Sequence, residues 1–135
     1  MENNRIENAG YRHLNGHNCA QAVACAYCDL LGVDETTMFQ ITSGLGSGIG
    51  GMEGTCGAIN GAAIVAGMKA QQLGYKKPEV YKVTSAVMKA FKEKNQSVTC
   101  KEIKGVGTGK ILRSCHDCVL DAAAILDEAM KELDK

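Results

Sequence analysis

The stretch SGLGSGIGGMEGTCGAING, residues 43–61, limits the folds open to this chain more than any other. Eight of the sixteen glycines fall between residues 42 and 61. Glycine loses the most backbone freedom on ordering, so neither a stable helix nor a strand is expected before Cys56. The stretch reads as a glycine-rich loop running into a central helix. Gly48, Gly50, Gly51, Gly54 and Gly57 would let backbone or a cofactor approach Cys56 closely and would leave N–H groups for an anion or a cluster.

On either side, apolar residues recur at helical spacing. Ile6, Ala9, Gly10, His13 and Leu14 predict a helix over 3–15, stopped by Gly16. Cys19, Ala22, Val23, Ala26 and Leu30 predict a second, opened by Asn18 and closed by Gly32. A short helix is expected over 34–43, and one from Cys56 to Gly74 carries Ile59, Ala63, Ala66 and Ala70. Pro78 suits the first turn of a fifth helix that frays near Asn95. A turn around Cys100 and the glycines of 105–109 precede the last, Cys115 to Leu133. No period-2 alternation of useful length and no internal repeat is present. The expectation is an all-α, compact bundle of about six helices forming one domain over residues 1–135.

Several function classes drop out. Fifteen basic and fifteen acidic residues cancel, so no overall positive field recruits nucleic acid. No apolar run approaches the roughly 20 residues that cross a bilayer. The opening MENNRIENAG lacks the layout of a secretory signal, which points to the cytoplasm. Lys89, Lys92, Lys94, Lys101 and Lys104 read as a solvated basic face. The small residues Ala62, Ala63, Ala66 and Ala70 and the alanine run 122–124 permit close helix contacts within or between subunits, and a homodimer is expected. An electron-transfer role would also require a separate redox partner protein, which nothing in the sequence specifies.

Seven cysteines are too many, and too odd in number, for a disulfide scaffold in a reducing compartment, so metal ligation or redox chemistry is the expectation. Four follow an N-cap type of residue: Asn18-Cys19, Thr55-Cys56, Thr99-Cys100 and Ser114-Cys115. Ser, Thr, Asn and Asp make up 25 of 135 residues, so chance would give one or two such neighbours among seven cysteines. Gln21, Glu102 and Asp117 stand where a capping-box partner would. A thiol in the first turn of a helix meets unpaired N–H groups and the positive dipole end, which favour the thiolate that attacks disulfides and binds metal.

Cys19 in NCAQAV, the stretch GLGSGIGGMEGTCGAINGA, Cys100 in TCKEIKG and Cys115 leading into VLDAAAILDE together resemble a family of redox-active proteins named for a C…GCAxxG…C…C signature, over about residues 5–130. One departure is that Cys56 precedes Gly61 by five positions where the signature has four. The resemblance implies a helical fold and a redox role, with iron–sulfur ligation proposed for some relatives.

Three chemistries stay open on the residues themselves. Cys19, Cys56, Cys100 and Cys115, with Cys118 as an alternative to Cys100, would hold an iron–sulfur cluster for electron transfer. Without metal, Cys56 or Cys115 would act as the catalytic thiolate of a thiol–disulfide protein. The same thiols would suit a structural zinc. Cys25 and Cys28 form a C-x-x-C expected in mid-helix, facing away from Cys19 and serving packing. Neither C-x-x-C is followed by His, so covalent c-type haem attachment is unsupported. Gly46 to Gly51 spell G-x-G-x-x-G without a preceding strand, which speaks against a nucleotide site, and Glu53 is a candidate proton carrier. His13, His17 and His116 read as surface or packing residues, with His17 and His116 close enough in sequence to Cys19 and Cys115 to stabilise a thiolate.

Overall fold

A computed structural model describes residues 4–133, and the helices that fill it are joined by turns, with no strand among the described residues. The fold is all-α, as the periodicity requires. Four helices make its frame: α1 (Arg5–Leu14), α2 (Cys19–Cys25), α6 (Gly57–Gln72) and α9 (Cys115–Leu133), with α7 (Lys77–Asn95) packed on α6 and α9. The short α3 (Cys28–Leu31), α4 (Glu35–Thr42), α5 (Gly46–Ile49) and α8 (Cys100–Lys104) connect them. The expected start of the first helix at residue 3 lies outside the described residues.

The capping signals act where the sequence placed two of them. Asn18 accepts from the amide of Gln21 while the Gln21 side chain accepts from the amide of Asn18, a complete capping box on α2. Ser114 accepts from the amide of Asp117 and starts α9. At α6 the expectation shifts by one residue, because Cys56 itself is the N-cap and Thr55 lies outside the helix. Glu102 is also redirected, since its carboxylate accepts from the Ser97 hydroxyl and not from the backbone of Thr99.

The predicted second helix is two helices. It breaks at Ala26–Tyr27 although neither glycine nor proline is present. The Tyr27 side chain turns fully into the core, where its hydroxyl donates to the Asp127 carboxylate on α9. Arg5 lies over the Tyr27 ring and donates to the Ala26 carbonyl at 2.8 Å, satisfying an acceptor that the break frees from the helix ladder. A tertiary anchor thus overrides local propensity.

The core is built of small residues. Ala20, Ala22, Ala58, Ala62, Ala66, Ala70, Ala122 and Ala123 are all but fully buried. A Cβ on Gly61 would come within 2.5 Å of the Ala20 carbonyl oxygen, so α2 and α6 touch backbone to backbone. The alanine faces that suggested a subunit contact are therefore largely consumed inside the chain. No described helix is long and apolar enough to cross a membrane.

The glycine-rich stretch is more ordered than expected. Residues 43–45 form a 3-10 turn, and α5 follows with Ser47 and Gly48 in the left-handed region. Ser47, Ile49 and Met52 all have positive φ, a conformation that side chains resist, most of all one branched at Cβ like Ile49. Hydrogen bonds within the loop hold it, from Gly50 N to Gly46 O at 2.9 Å, Met52 N to Ser47 O at 2.7 Å and Gly54 N to Gly48 O at 3.0 Å. The loop is then pinned to the start of α8 by a two-residue antiparallel bridge between Thr55 and Thr99. Across it Cys56 N donates to Val98 O at 2.7 Å and Cys100 N to Gly54 O at 3.0 Å.

Candidate functional site

Five of the seven cysteines meet at one end of the bundle. Cys19, Cys56, Cys100, Cys115 and Cys118 line a void of about 10 Å³, with Ile103 and Lys104 completing its wall. Cys19 opens α2, Cys100 opens α8, Cys115 opens α9, and Cys56 caps α6. Four segments that are distant in sequence thus place four helix starts around one space. Cys118 adds a fifth thiol from the first turns of α9. Cys56, Cys100 and Cys118 are buried, while Cys19 and Cys115 are partly exposed.

Two glycines permit this approach by lacking a side chain. A Cβ at Gly57 would stand 2.3 Å from the Cys19 sulfur, and one at Gly48 would stand 2.6 Å from the Cys100 Cβ. Gly54 contributes through its carbonyl, which holds Cys100. Gly50 and Gly51 would meet nothing within 4 Å and lie exposed at the loop tip. The amides of Gly50 and Gly54 are engaged inside the loop, so they differ from the free donors expected of them.

The thiols are not electrostatically equal. A hydrogen bond from Cys118 holds the Cys56 thiol well below its ordinary range; burial opposes this, and the amides of Ala58 and Ile59 at the start of α6 assist, as does the Lys104 charge. Cys118 moves the other way, pushed up by that same bond to Cys56 and by burial. Burial also pushes up Cys19, against an opposing amide hydrogen bond from Ser47, and Cys100. The expectation that a helix start lowers the thiol pKa therefore holds at Cys56 and is overturned at Cys19 and Cys100, because desolvation of a buried sulfur outweighs the dipole there.

Lys104 corrects the sequence reading most sharply. It is half-buried in the wall of the void rather than part of a solvated face. Although burial works against its charge, the sulfurs of Cys115, Cys100 and Cys19 hold its ammonium above the ordinary lysine value. Its spacing of four from Cys100 on one short helix was the available signal, since i and i+4 share a face. Lys94 and Lys101 pair instead with Asp121 at 3.1 Å and Glu53 at 3.6 Å, and Lys89 and Lys92 are exposed. Glu53 itself points to solvent, away from the void.

The histidines divide. His13 and His116 stack with ring centroids 5.3 Å apart and bring their Nδ1 atoms to 3.0 Å, so one accepts a hydrogen bond from the other. His17 packs edge-on against Phe39. With Cys25 and Glu35 it forms a trio of ligand-type atoms within 4.8 Å of one another. Arg12 already takes both Glu35 carboxylate oxygens, at 2.9 and 3.1 Å, and burial pushes the Cys25 thiol up to about 12. That trio is a possible metal site, although two of its ligands are committed elsewhere.

Among the described residues, no three sulfurs of the five-cysteine group come within 4.8 Å of one another. A tetrahedral zinc with bonds of about 2.3 Å needs sulfurs roughly 3.8 Å apart. The donor set itself, five thiols beside one cation, suits soft-metal ligation or thiol redox chemistry. The fold and the site together define a helical redox protein built around a group of cysteines. Residues 17–129 match the family described as "Putative redox-active protein (C_GCAxxG_C_C)", and the chain belongs to that family. No curated protein and no solved structure shows a significant match.

Proposed function

We propose that the five-cysteine group binds an iron–sulfur cluster and that the protein transfers electrons. The observation that supports this reading is the convergence of Cys19, Cys56, Cys100 and Cys115, each at the start of a different helix, on one small void. Dithiol exchange needs only two sulfurs, whereas a cluster takes four. A bound cluster would take up and release single electrons. Cys19, Cys56, Cys100 and Cys115 would be its ligands, and Lys104 would offset part of their negative charge.

Cys118 then serves as a hydrogen-bond donor to the Cys56 sulfur, the kind of contact that tunes a cluster's potential. Ile103 and the buried Cys56, Cys100 and Cys118 form the enclosed side of the void, and Cys19 and Cys115 form its open side. A cytoplasmic location and self-association belong to this reading as proposals. Purification without oxygen, followed by iron and acid-labile sulfide analysis and an absorption spectrum, tests it. Iron and sulfide in equal amounts with visible absorption support the cluster, and protein free of both metal and sulfide would overturn it.

A second reading rests on the contact between Cys118 and Cys56. A depressed thiolate beside a protonated thiol is the arrangement of an attacking and a resolving cysteine. In metal-free protein, mild oxidation that yields a Cys56–Cys118 disulfide by peptide mapping would favour it over the cluster.

A further inference from the structure

A second, larger space adjoins the sulfur-lined void. It is an open cleft of about 370 Å³ between α1, α2, α5 and the α8–α9 region. Cys19, Cys115 and Lys104 line both spaces, so the cleft and the void share a wall. His13, Ser43 and Ser47 stand around the remainder. The volume falls within the usual range of small-molecule sites.

The cleft holds one cationic side chain, Lys104, beside the Cys19 and Cys115 sulfurs. None of its lining residues is acidic. Among the described residues the Lys104 ammonium makes no ion pair with a carboxylate, unlike Lys94 and Lys101, and its hydrogen-bond partner is the Cys115 sulfur. An ammonium whose partner is a sulfur keeps N–H donors that a carboxylate from solution accepts more strongly. His13 commits Nδ1 to His116, which leaves its Nε2 for a ligand. The Asn18 and Ser43 side chains are already satisfied, by the Ser43 and Gln40 carbonyls at 3.1 and 3.0 Å, so they shape the cleft without demanding a partner.

We infer that this cleft binds a small organic anion, its carboxylate paired with Lys104 and its body set against Cys19 and Cys115. No covalent step is involved. The inference rests on the redox reading for what such a ligand would be for, while its binding stands apart from any metal.

The test is equilibrium dialysis of the full chain, purified without oxygen, against radiolabelled succinate at fixed ionic strength. Saturable uptake of one equivalent is expected, displaced by unlabelled succinate and not by the neutral diamide succinamide. Lys104→Gln should weaken uptake roughly tenfold, the worth of one charged hydrogen bond. Ser43→Phe, which fills the cleft and removes no cysteine, should weaken it as much, and Lys89→Gln on the exposed side of α7 should leave it unchanged. Absent or non-saturable uptake overturns the inference, as does displacement by succinamide or equal uptake in all three variants. Iron measured in the same samples separates the outcomes: uptake without iron retires the cluster and keeps the cleft, and iron without uptake does the reverse.

Discussion

Cys25-Ala26-Tyr27-Cys28 and Cys115-His116-Asp117-Cys118 have the same spacing and opposite surroundings. The first straddles the break between α2 and α3, and both thiols sit in the apolar core with their pKa pushed up by burial. The second opens a 19-residue helix beside a cation, and its inner thiol is hydrogen-bonded to Cys56. The first faces the Glu35 carbonyl and its own helix; the second faces three other helix starts. Two cysteines three residues apart join a site only where the fold brings donors, charge and further sulfur to them.

The comparison breaks most decisively on Cys56. On the proposed cluster reading, Cys56→Ser should lower retained iron by at least roughly tenfold, since loss of a direct ligand would exceed the effect of an outer-shell change. Cys25→Ala should leave iron content unchanged. Equal losses in the two variants would show that the cysteine groups are not distinct.

Close approach gives the next largest effect. Gly57→Ala sets a Cβ 2.3 Å from the Cys19 sulfur and should destabilise the protein by about 1–3 kcal/mol. Gly67→Ala on the same helix meets only a Val80 methyl at 4.0 Å and should stabilise it by about 0.5–1 kcal/mol. Opposite shifts in thermal midpoint are expected, and shifts of one sign would mean that the sulfur can move aside freely.

Asp121, one turn beyond Cys118, anchors the start of α9. Burial would raise its pKa, yet Arg113 at 3.0 Å, Lys94 at 3.1 Å and Asn95 at 3.2 Å hold it below the ordinary carboxylate value. A carboxyl whose pKa is lower folded than unfolded stabilises above its unfolded pKa, and that contribution disappears as the pH falls through the folded one. Asp121→Asn should therefore destabilise by about 1–3 kcal/mol at neutral pH, with the gap closing under acid. A gap independent of pH in thermal melts would exclude this role.

The smallest effect is expected at Cys28. Cys28→Ala should cost about 1 kcal/mol of stability through lost packing, with spectrum and metal content untouched. Any change in the redox centre would join the two regions that the structure keeps apart.

Much of the fold was legible from periodicity, because helices that bury one face repeat it every three or four residues. The break at Tyr27 was not, because its cause is a phenol reaching Asp127 one hundred residues away. At the site, the cap residues marked Cys19 and Cys115 correctly. Thr99 marks Cys100 as well, where α8 begins, although the stretch reads as a turn because five residues are too few to show a period. Lys104 was missed because a charge run reads as solvated until a neighbour buries it.

The sequence by itself determined the helices, most of their starts, and the glycines that let one segment lie against another, since these follow from backbone sterics and local hydrogen bonding. Only the tertiary structure decided which thiols meet, that Cys56 and Cys118 shift in opposite directions, and that the Cys25–Cys28 pair is left in the core. Sulfur pKa depends on burial and on partners contributed by other helices. Local spacing carries no information about either.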